Sequence, residues 1–392
     1  MKKSIRIPVF LVVAMLAVTK GFSSDTIRLR IYASQKPEAV IFTSLTEGYS
    51  IDVFGHASVR LRVGEPVLIF SDSGRVGIKT RYQHGFTVDS VRFRAEEVEG
   101  VLPMFSLQIP GREPMKQTYG DGLACLSGHG MFLLLNETTI ENYLPGVVRS
   151  EGGASRHPEF YKAQAVIART FAWQNILKHA NDGYNLCDDT HCQAYHGLVK
   201  DSAIEEAVKA TAGIVLSGPD SVIVLAAFHS NCGGETASAG DVWMTSLPHL
   251  QSVIDPWCTT SRNAVWQKSV PVESWHSMLR RSGYTGSPEA DGIDEFSQPS
   301  RKQYFEPVAG LRIPVTAIRS EFALRSSFFT LKRVADTIEI SGRGYGHGVG
   351  LCQEGAMAMA LQGKTYGEII GFYYRNVLLL DVSEVKFPPP VK

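Results

Sequence analysis

Apolar and charged residues alternate along several short segments in the first third of the chain. The alternation is clearest at Ile27–Ile31, and it returns at Val59–Arg62 and Val91–Arg94. A period of two is typical of β-strands that face the core on one side and solvent on the other. We therefore predict a β-rich N-terminal region over residues 25–125.

The pattern changes beyond this region. A short apolar run at residues 131–135 predicts a buried strand, and apolar residues then recur at helical spacing between Phe160 and Phe171. Ser155 is suited to cap this helix, with Pro158 in its first turn. We predict that the helix runs from this cap toward residue 179.

Capping boxes and strand-like runs extend the pattern to the C-terminal end. Ser202-x-x-Glu205 and Thr365-x-x-Glu368 each predict the start of a helix, and a further helix is predicted to end at Gly363. Residues 222–227 and 337–340 read as strands.

Residues 283–310 are rich in Gly, Ser, Pro and charged residues, which is typical of a surface loop or an insertion. The predicted fold class is α+β, with the β-rich N-terminal unit followed by a mixed α/β domain over residues 126–385.

The composition is typical of an ordinary globular protein. The chain has 392 residues, 44% of them hydrophobic, with 39 basic and 39 acidic side chains. This balance argues against a polybasic nucleic-acid binder and against an acidic disordered chain. We expect no nucleic-acid partner.

The first 23 residues read as a signal peptide. Basic residues precede a 12-residue apolar stretch at 7–18, which is short beside the roughly 20 residues of a membrane span. Gly21 and Ser23 have the small side chains of a cleavage site. The alternative is an uncleaved anchor. We expect cleavage, an exported protein that is periplasmic, extracellular or in the cell wall, and no retention in the membrane. Removing Lys2, Lys3, Arg6 and Lys20 turns the neutral chain into one of net charge −4.

Export permits disulfides, and six cysteines remain after cleavage. Six cysteines allow 15 complete pairings, and the sequence does not choose among them. A Cys232–Cys258 bridge would close a moderate loop and is our first expectation. The cysteines are Cys125, Cys187, Cys192, Cys232, Cys258 and Cys352.

Several common catalytic signatures fail. No register gives G-x-G-x-x-G, and neither G-x-S-x-G nor H-E-x-x-H occurs. Five glycines do alternate around His347, at residues 342–350. Glycine lets a backbone approach a ligand or another strand closely, so this run predicts either a ligand-binding segment or a tightly packed turn.

Six segments, in order over residues 126–380, carry a more specific signal. Together they resemble the sporulation stage II protein D (SpoIID/LytB) family. The segments are Tyr143-Leu144-x-Gly146-Val147-Val148-x-Ser150-Glu151, Lys162-Ala163-Gln164-Ala165-Val166-x-Ala168-Arg169-Thr170, Asp189-Thr190-x-Cys192-Gln193-x-Tyr195-x-Gly197, His229-Ser230-x-Cys232-Gly233-Gly234-x-Thr236, Gly342-Arg343-Gly344-x-Gly346-His347-Gly348-Val349-Gly350-x-x-Gln353-x-Gly355-Ala356, and Tyr373-Tyr374.

The resemblance implies a peptidoglycan lytic transglycosylase with Glu151 as catalytic acid. Cleaving a glycosidic bond requires a proton donor beside the leaving oxygen, and a carboxyl group of raised pKa can donate that proton and later act as base. Attack by the 6-hydroxyl of the muramic acid itself would give a 1,6-anhydro end without water. The alternative is that Glu151 is a solvated acid in a turn, without a catalytic role.

The resemblance also implies a set of substrate-binding residues that line a glycan cleft or donate to sugar hydroxyls. These are Gln164, Arg169, Gln193, Tyr195, His229, Ser230, Gly233, His347 and Gly348. Trp173, Trp257 and Trp266 can stack on sugar rings, although each is as well suited to a core.

This chain departs from the family beside Glu151. Gly152-Gly153 and His157-Pro158 stand where the family often has Met-Pro and Trp-Pro. A flexible glycine pair would change how Glu151 is presented, so the departure leaves a second function open. That function is a non-catalytic wall-binding protein that enhances a cell-wall amidase. A third is a disulfide-stabilised scaffold whose N-terminal unit binds a partner.

A last cluster has the spacing of a metal site. Cys187, His191 and Cys192 can supply three zinc ligands, with His179 or His196 as the fourth. Disulfide chemistry at the two cysteines is the alternative. We expect that no cofactor is required for catalysis and that any zinc is structural.

Overall fold

The computed structural model describes residues 26–53, 58–81, 85–96, 100–112, 116–128 and 131–387. The predicted signal peptide at residues 1–23 lies outside these ranges. Within them, no helix has the length and apolar character that crossing a membrane requires.

The N-terminal region is built from strands. In chain order they are β1 Thr26–Ile31, β2 Ala39–Ser44, β3 Tyr49–Val53, β4 Val59–Arg60, β5 Pro66–Asp72, β6 Arg75–Lys79, β7 Phe86–Val88, β8 Ser90–Ala95, β9 Met104–Gln108, β10 Lys116–Gly120, β11 Gly122–Gly128 and β12 Met131–Thr139.

These strands form two sheets. One has the order β10-β9-β2-β5-β6-β7, and the other has the order β1-β12-β11-β8-β3-β4. The short strand β13, Leu186–Cys187, adds to the outer edge of β1 in parallel. Phe42 of the first sheet stacks on Phe93 of the second with ring centroids 4.3 Å apart, so the sheets pack face to face.

The period-two prediction is confirmed at β1 and β8, where alternate residues are buried. At Val59–Arg62 only β4 forms, and both of its residues are exposed because it lies at a sheet edge. The run predicted at 131–135 continues to Thr139 as β12, and residues 134–139 of this strand pair with β1. The β-sandwich therefore includes strands on both sides of residue 125.

The α-helices of the described residues all follow β12. They are α1 Ile140–Gly152, α2 Pro158–Gln174, α3 Ser202–Ala210, α4 Ala239–Trp243, α5 Val272–Arg281, α6 Pro288–Asp291, α7 Val315–Glu321, α8 Gln353–Leu361 and α9 Tyr366–Tyr373. The strands among them are β14 Ile214–Ser217, β15 Phe228–His229, β16 Val265–Pro271, β17 Tyr304–Phe305, β18 Ile313–Pro314, β19 Phe329–Val334, β20 Thr337–Arg343, β21 Leu351–Cys352 and β22 Leu378–Asp381.

The helix starts show which capping predictions were right. The Thr365 capping box of α9 is confirmed with both of its hydrogen bonds. The cap of α2 is His157 rather than Ser155, which has a positive φ of 55°. The cap of α3 is Asp201, one residue before the predicted Ser202. The Asp201 carboxylate accepts hydrogen bonds from two backbone N–H groups in the first turn of the helix.

The two later strand predictions differ in outcome. The run at 337–340 is confirmed as part of β20. The run at 222–227 is wrong as a strand, since only isolated bridges form there, from Val222 to Lys386 and from Ile223 to Ser217. These residues instead pack beneath the C-terminal segment.

Two hydrophobic cores result. The larger one joins the β-sandwich to α1, α2, α3, α8 and α9. The smaller one is built on the sheet β16-β20-β19, with α5 and α7 against it. Residues 283–310, predicted as a surface loop or insertion, contribute Tyr284, Ile293 and Phe305 to the smaller core. The α+β fold class is confirmed.

Candidate active site

A cleft of about 570 Å³ opens between two walls. The first wall comes from the end of α1 and the start of α2, and its residues are Ser150, Glu151, Gly152, Gly153, Arg156 and Phe160. The second wall comes from α8 and two loops, and its residues are Ser230, Trp257, Thr260, Ser261, Arg262, Asn263, Gln353, Glu354, Met357, Ala358 and Leu361.

Glu151 reaches the cleft from the last turn of α1. Thr139 caps this helix, and buried residues such as Tyr143 and Val147 hold one face of it against the core. The backbone N–H of Ala194 donates to Glu151 Oε1 at 2.7 Å. No described residue provides a hydrogen-bond partner for Oε2. One carboxylate oxygen is therefore fixed and the other is available at the cleft.

Burial raises the pKa of the Glu151 carboxyl group, and this is the dominant effect. The hydrogen bond from Ala194 and the charge of His196 act in the opposite direction. A half-buried carboxyl group with a raised pKa holds its proton more readily than a solvated glutamate, which suits a general acid.

The glycine pair after Glu151 has a defined structure. Gly153 ends α1 with a φ of 79°, and its N–H donates to Arg149 O at 3.1 Å. Only glycine adopts this conformation without strain. At Gly152, an added Cβ would lie 3.0 Å from the Phe160 ring, so the missing side chain allows α2 to approach. The pair fixes the turn that presents Glu151.

Gln353 connects the two walls. Its Nε2 donates to the Glu151 carbonyl oxygen at 3.1 Å and to Gln164 Oε1 at 3.3 Å. Gln353 is the first residue of α8, whose cap is Cys352. The second wall is therefore hydrogen-bonded to the backbone of the catalytic candidate.

Glu354 is a second carboxylate in the cleft, and sequence reasoning missed it. The side-chain amides of Asn231 and Asn263 each donate to it at 2.6 Å, and Ser261 Oγ donates to the same group. Its position directly after Gln353 in the matched motif was the available signal. Asn263 lies in a loop without a recognisable motif.

Of the substrate-binding residues that the resemblance implied, Ser230 lines the cleft. Gln164 is fully buried behind Gln353. Gln193 and Tyr195 are also buried: the Tyr143 hydroxyl donates to Gln193 Oε1 at 3.4 Å, and the Tyr195 ring packs 5.0 Å from that of Tyr143. These three residues support the first wall from below.

Arg169 lies away from the cleft. Its fully buried guanidinium donates to both carboxylate oxygens of Glu141, at 2.6 and 2.8 Å, and to the carbonyl oxygens of Ile214 and Val208. These bonds join α1, α2 and α3. The contacts of Arg169 are structural, because each of these partners is a protein group that does not line the cleft.

The glycine run around His347 packs against residues 227–233. An added Cβ would lie 2.5 Å from Asn231 O at Gly344 and 2.0 Å from Ala227 O at Gly350, both at positive φ. Gly233 and Gly348 show the same crowding, against Arg343 and Arg301. The run is a tightly packed turn, the second of the two alternatives that its sequence predicted.

Two histidines meet beside this turn rather than among the residues that line the cleft. His229 and His347 have ring centroids 5.5 Å apart, and Trp243 lies 5.3 Å from His347. Burial lowers the pKa of His347 to about 4 and that of His229 well below its ordinary value, so both rings are neutral near pH 7.

The three tryptophans proposed to stack on sugar rings lie in different environments. Trp257 lines the second wall of the cleft. Trp173 is in the main core, and Trp266 is buried over Gly342 with its Nε1 donating to Ser326.

The predicted zinc ligands converge. One donor atom from each of His179, Cys187, His191 and Cys192 lies within 4.8 Å of every other, and we call this group the histidine–cysteine cluster. His179 is the fourth member; His196 lies instead near Glu151. Two histidines and two cysteines are a typical donor set for structural zinc. The His179 Nδ1 contacts Asp182 at 3.2 Å, an arrangement that orients a ligating imidazole.

The expected Cys232–Cys258 disulfide is wrong. The two Sγ atoms are 3.3 Å apart, beyond the roughly 2.05 Å of a bond, and all six cysteines are free. Cys352 and Asp255 join the same pair, with the four donor atoms within 4.8 Å of one another. We call this group the aspartate–cysteine cluster.

Comparison with known proteins identifies a matching family model and several similar proteins. The family model described as "Stage II sporulation protein" matches residues 129–217. An uncharacterised protein of Brachyspira hyodysenteriae is 33% identical, over 70% of this chain and 76% of the relative. Stage II sporulation protein D of Bacillus subtilis is 32% identical, over 62% of this chain and 75% of the relative. The amidase enhancer of Bacillus subtilis is 31% identical, over 60% of this chain but only 40% of the relative.

Proposed function

The chain belongs to the stage II sporulation protein D family, and we propose that it is a lytic transglycosylase that cleaves peptidoglycan glycan strands between MurNAc and GlcNAc. The observation that carries the proposal is the presentation of Glu151. Its carboxyl group has a raised pKa, one fixed oxygen and one available oxygen at a cleft. We further propose that the protein is exported and acts at the cell wall.

The proposed reaction needs one carboxyl group. Glu151 Oε2 donates its proton to the glycosidic oxygen as the bond from C1 of MurNAc to that oxygen breaks. The resulting carboxylate then accepts the proton of the MurNAc 6-hydroxyl, whose oxygen forms the new bond to C1. The products are a 1,6-anhydro-MurNAc end and a free GlcNAc hydroxyl. Glu151 returns to its protonated form, and no water is consumed.

The composition of the cleft suits a sugar polymer. Trp257 and Phe160 offer aromatic surface, and Ser230, Asn263 and Arg262 offer hydrogen-bond donors. Sugar rings bind in this way because their faces are apolar and their edges carry hydroxyl groups. Positive charge from Arg262 is also suited to the lactyl carboxylate of a MurNAc whose stem peptide has been removed.

We propose a structural role for zinc at the histidine–cysteine cluster. Cys192 lies two residues before Ala194, the residue whose N–H fixes Glu151 Oε1. A metal bound by His179, Cys187, His191 and Cys192 would hold this loop on the sandwich, beside β13. Zinc is not assigned any part in the chemical step, which rests on Glu151 alone.

A second candidate function follows from one relative. The Bacillus subtilis relative that is 31% identical is an amidase enhancer. The same cleft can therefore instead serve a non-catalytic protein that binds glycan strands and stimulates an N-acetylmuramoyl-L-alanine amidase. In that case Glu151 would be a binding residue, and no anhydro sugar would form.

Product analysis separates the two functions. The purified protein is incubated with peptide-free glycan strands, and the products are identified by mass spectrometry, with Glu151→Gln as the matched variant. We expect anhydro-MurNAc ends from the wild type and almost none from the variant. Glycan binding and amidase stimulation that are unchanged by Glu151→Gln, with no anhydro product from either protein, would establish the enhancer instead.

A further inference from the structure

We propose that Cys232, Asp255, Cys258 and Cys352 form a second metal site, suited to zinc, that holds the second wall of the cleft in place. The four residues come from three separate parts of the chain: the loop after β15, the short turn at Pro256–Cys258, and the cap of α8. All four are fully buried.

The distances fit four ligands around one ion. Cys232 Sγ lies 3.3 Å from Cys258 Sγ and 3.2 Å from Asp255 Oδ2, and all four donor atoms lie within 4.8 Å of one another. Tetrahedral zinc, with bonds of about 2.3 Å to sulfur and about 2.0 Å to oxygen, separates neighbouring ligand atoms by roughly 3.5–3.8 Å. Small adjustments of the side chains therefore reach the required geometry.

The surrounding groups are arranged as for thiolate and carboxylate ligands. The N–H groups of Cys232 and Gly355 donate to Cys352 Sγ at 3.3 and 3.4 Å. Such hydrogen bonds are typical of the outer shell of a metal site.

The carboxylate is held in the same way. Trp257 N–H donates to Asp255 Oδ1 at 2.9 Å, and the Tyr373 hydroxyl donates to Oδ2 at 2.9 Å. The nearby Arg301 guanidinium donates to Cys232 O at 2.7 Å and adds positive charge. Burying a carboxylate among sulfur atoms is costly unless a cation or a proton compensates it. A metal ion compensates all four ligands at once.

A disulfide explains less of this arrangement. It would join two of the three cysteines and leave the third thiol and Asp255 facing each other in a dry pocket. The two backbone N–H groups that donate to Cys352 Sγ also suit a thiolate at this position. The metal uses every donor that the pocket contains.

The site has a direct structural consequence for the cleft. Cys352 is followed by Gln353 and Glu354, and Cys232 lies two residues after Ser230; all three neighbours line the second wall. A metal at this point fixes α8 against the two loops that carry Ser230 and Trp257. We expect its loss to loosen the second wall and lower the thermal midpoint.

The first experiment uses the full wild-type chain. Bound metal is measured by inductively coupled plasma mass spectrometry, and thiols are then counted by alkylation after denaturation with a chelator. We expect bound zinc and six reactive thiols per chain, since all six cysteines are free. A disulfide between any two of Cys232, Cys258 and Cys352, located by peptide mapping, would overturn the proposal, and so would six thiols without bound metal.

Variants then assign the metal to this cluster. Cys352→Ala and Asp255→Asn should each lower the bound zinc by one ion per chain relative to the wild type. Cys125→Ala is the matched control, because Cys125 is equally buried but outside both clusters. Cys187→Ala isolates the other cluster. Zinc content that Cys352→Ala and Asp255→Asn leave unchanged would refute the assignment.

A spectroscopic measurement covers the case in which Cys352→Ala fails to fold. Cobalt is substituted into the Cys187→Ala protein, in which the histidine–cysteine cluster is broken. We expect sulfur-to-cobalt charge-transfer absorption with tetrahedral d–d bands. Their absence from folded, cobalt-treated protein would contradict a thiolate metal site at Cys232, Cys258 and Cys352.

Discussion

The two walls of the cleft are held by different means, although each has a cysteine cluster behind it. Behind the first wall, the histidine–cysteine cluster uses residues 179–192, a single short stretch of chain. Behind the second wall, the aspartate–cysteine cluster gathers residues from 232 to 352. The first wall carries Glu151, and the second reaches it through Gln353.

This difference teaches how such a site is assembled. The first wall depends on local structure, namely a capped helix, a glycine turn and a loop. The second depends on long-range contacts, because strands β15 and β21 must pair in parallel before Cys232 and Cys352 can meet. The first wall therefore positions Glu151, the proposed proton donor, whereas the second wall positions Trp257 and Glu354 on the opposite side of the cleft.

The largest expected effect separates the two cleft carboxylates. Glu151→Gln should lower kcat for glycan cleavage by about 10²–10⁴-fold, the usual contribution of a general acid. Glu354→Gln should cost far less, because Glu354 is occupied by Asn231, Asn263 and Ser261. Steady-state kinetics measures both. Equal losses of kcat in the two variants would mean that both carboxylates take part in the reaction, and would favour a two-carboxylate mechanism.

Glu141→Ala tests the support of the first wall. It leaves the fully buried Arg169 without its ion-pair partner. We expect the free energy of unfolding to fall by up to about 3 kcal/mol, less than for a fully buried pair because the Glu141 side chain is 37% exposed. Glu306→Ala is the control, since its pair with Arg312 is exposed and contributes at most about 1 kcal/mol. Chemical denaturation measures both. A loss of glycan affinity without a loss of stability would instead assign Arg169 to substrate binding.

Gly355→Ala tests the support of the second wall. The new Cβ would lie 2.2 Å from the Tyr373 hydroxyl and 2.5 Å from Asp255 Oδ2, so we expect a destabilisation of about 1–3 kcal/mol. Gly371→Ala is the matched helical control, with nothing within 4 Å of the new Cβ, and should be stabilising by up to about 1 kcal/mol. Thermal unfolding compares them. Similar midpoints for both variants would mean that the pocket around Asp255 is not tightly packed.

The smallest effect is a shift in the pH profile. Glu151 acts first as a protonated acid, so activity should fall as pH rises through its raised pKa. The charge of His196 lowers that pKa, and His196→Gln should therefore move the descending limb to higher pH. Lys209→Gln, which removes an exposed charge on α3, should not move it. If the descending limb of the pH profile has the same midpoint in the His196 variant as in the wild type, a group other than Glu151 determines that midpoint.

The sequence predicted the first wall better than the second. Helical spacing, the motif around Glu151 and the close spacing of Cys187, His191 and Cys192 are local patterns, and they led to the right elements. The role of Gln353 and Glu354 depends on tertiary contacts between residues 91 to 202 positions apart. The meeting of Cys352 with Asp255 is likewise a long-range contact. Pairing among six cysteines cannot be derived from spacing alone.

The burial of polar residues in the family-like segments could not be predicted from their sequence pattern. Arg169, Gln193 and Tyr195 matched family segments, yet their side chains are buried and hold the wall rather than line it. Periodicity shows which face of a helix is apolar. It does not show whether a polar residue on that face bonds inward, as Arg169 does with Glu141.

The central claim, cleavage by Glu151 through internal attack without water, is tested most directly by product mass in isotopically labelled water. Peptide-free glycan strands are incubated with the wild type and with Glu151→Gln in H₂¹⁸O. We predict wild-type products whose MurNAc ends are lighter by one water than a hydrolysed end and contain no ¹⁸O, and almost no product from the variant. Incorporation of ¹⁸O at the new MurNAc end, or undiminished products from Glu151→Gln, would contradict the account.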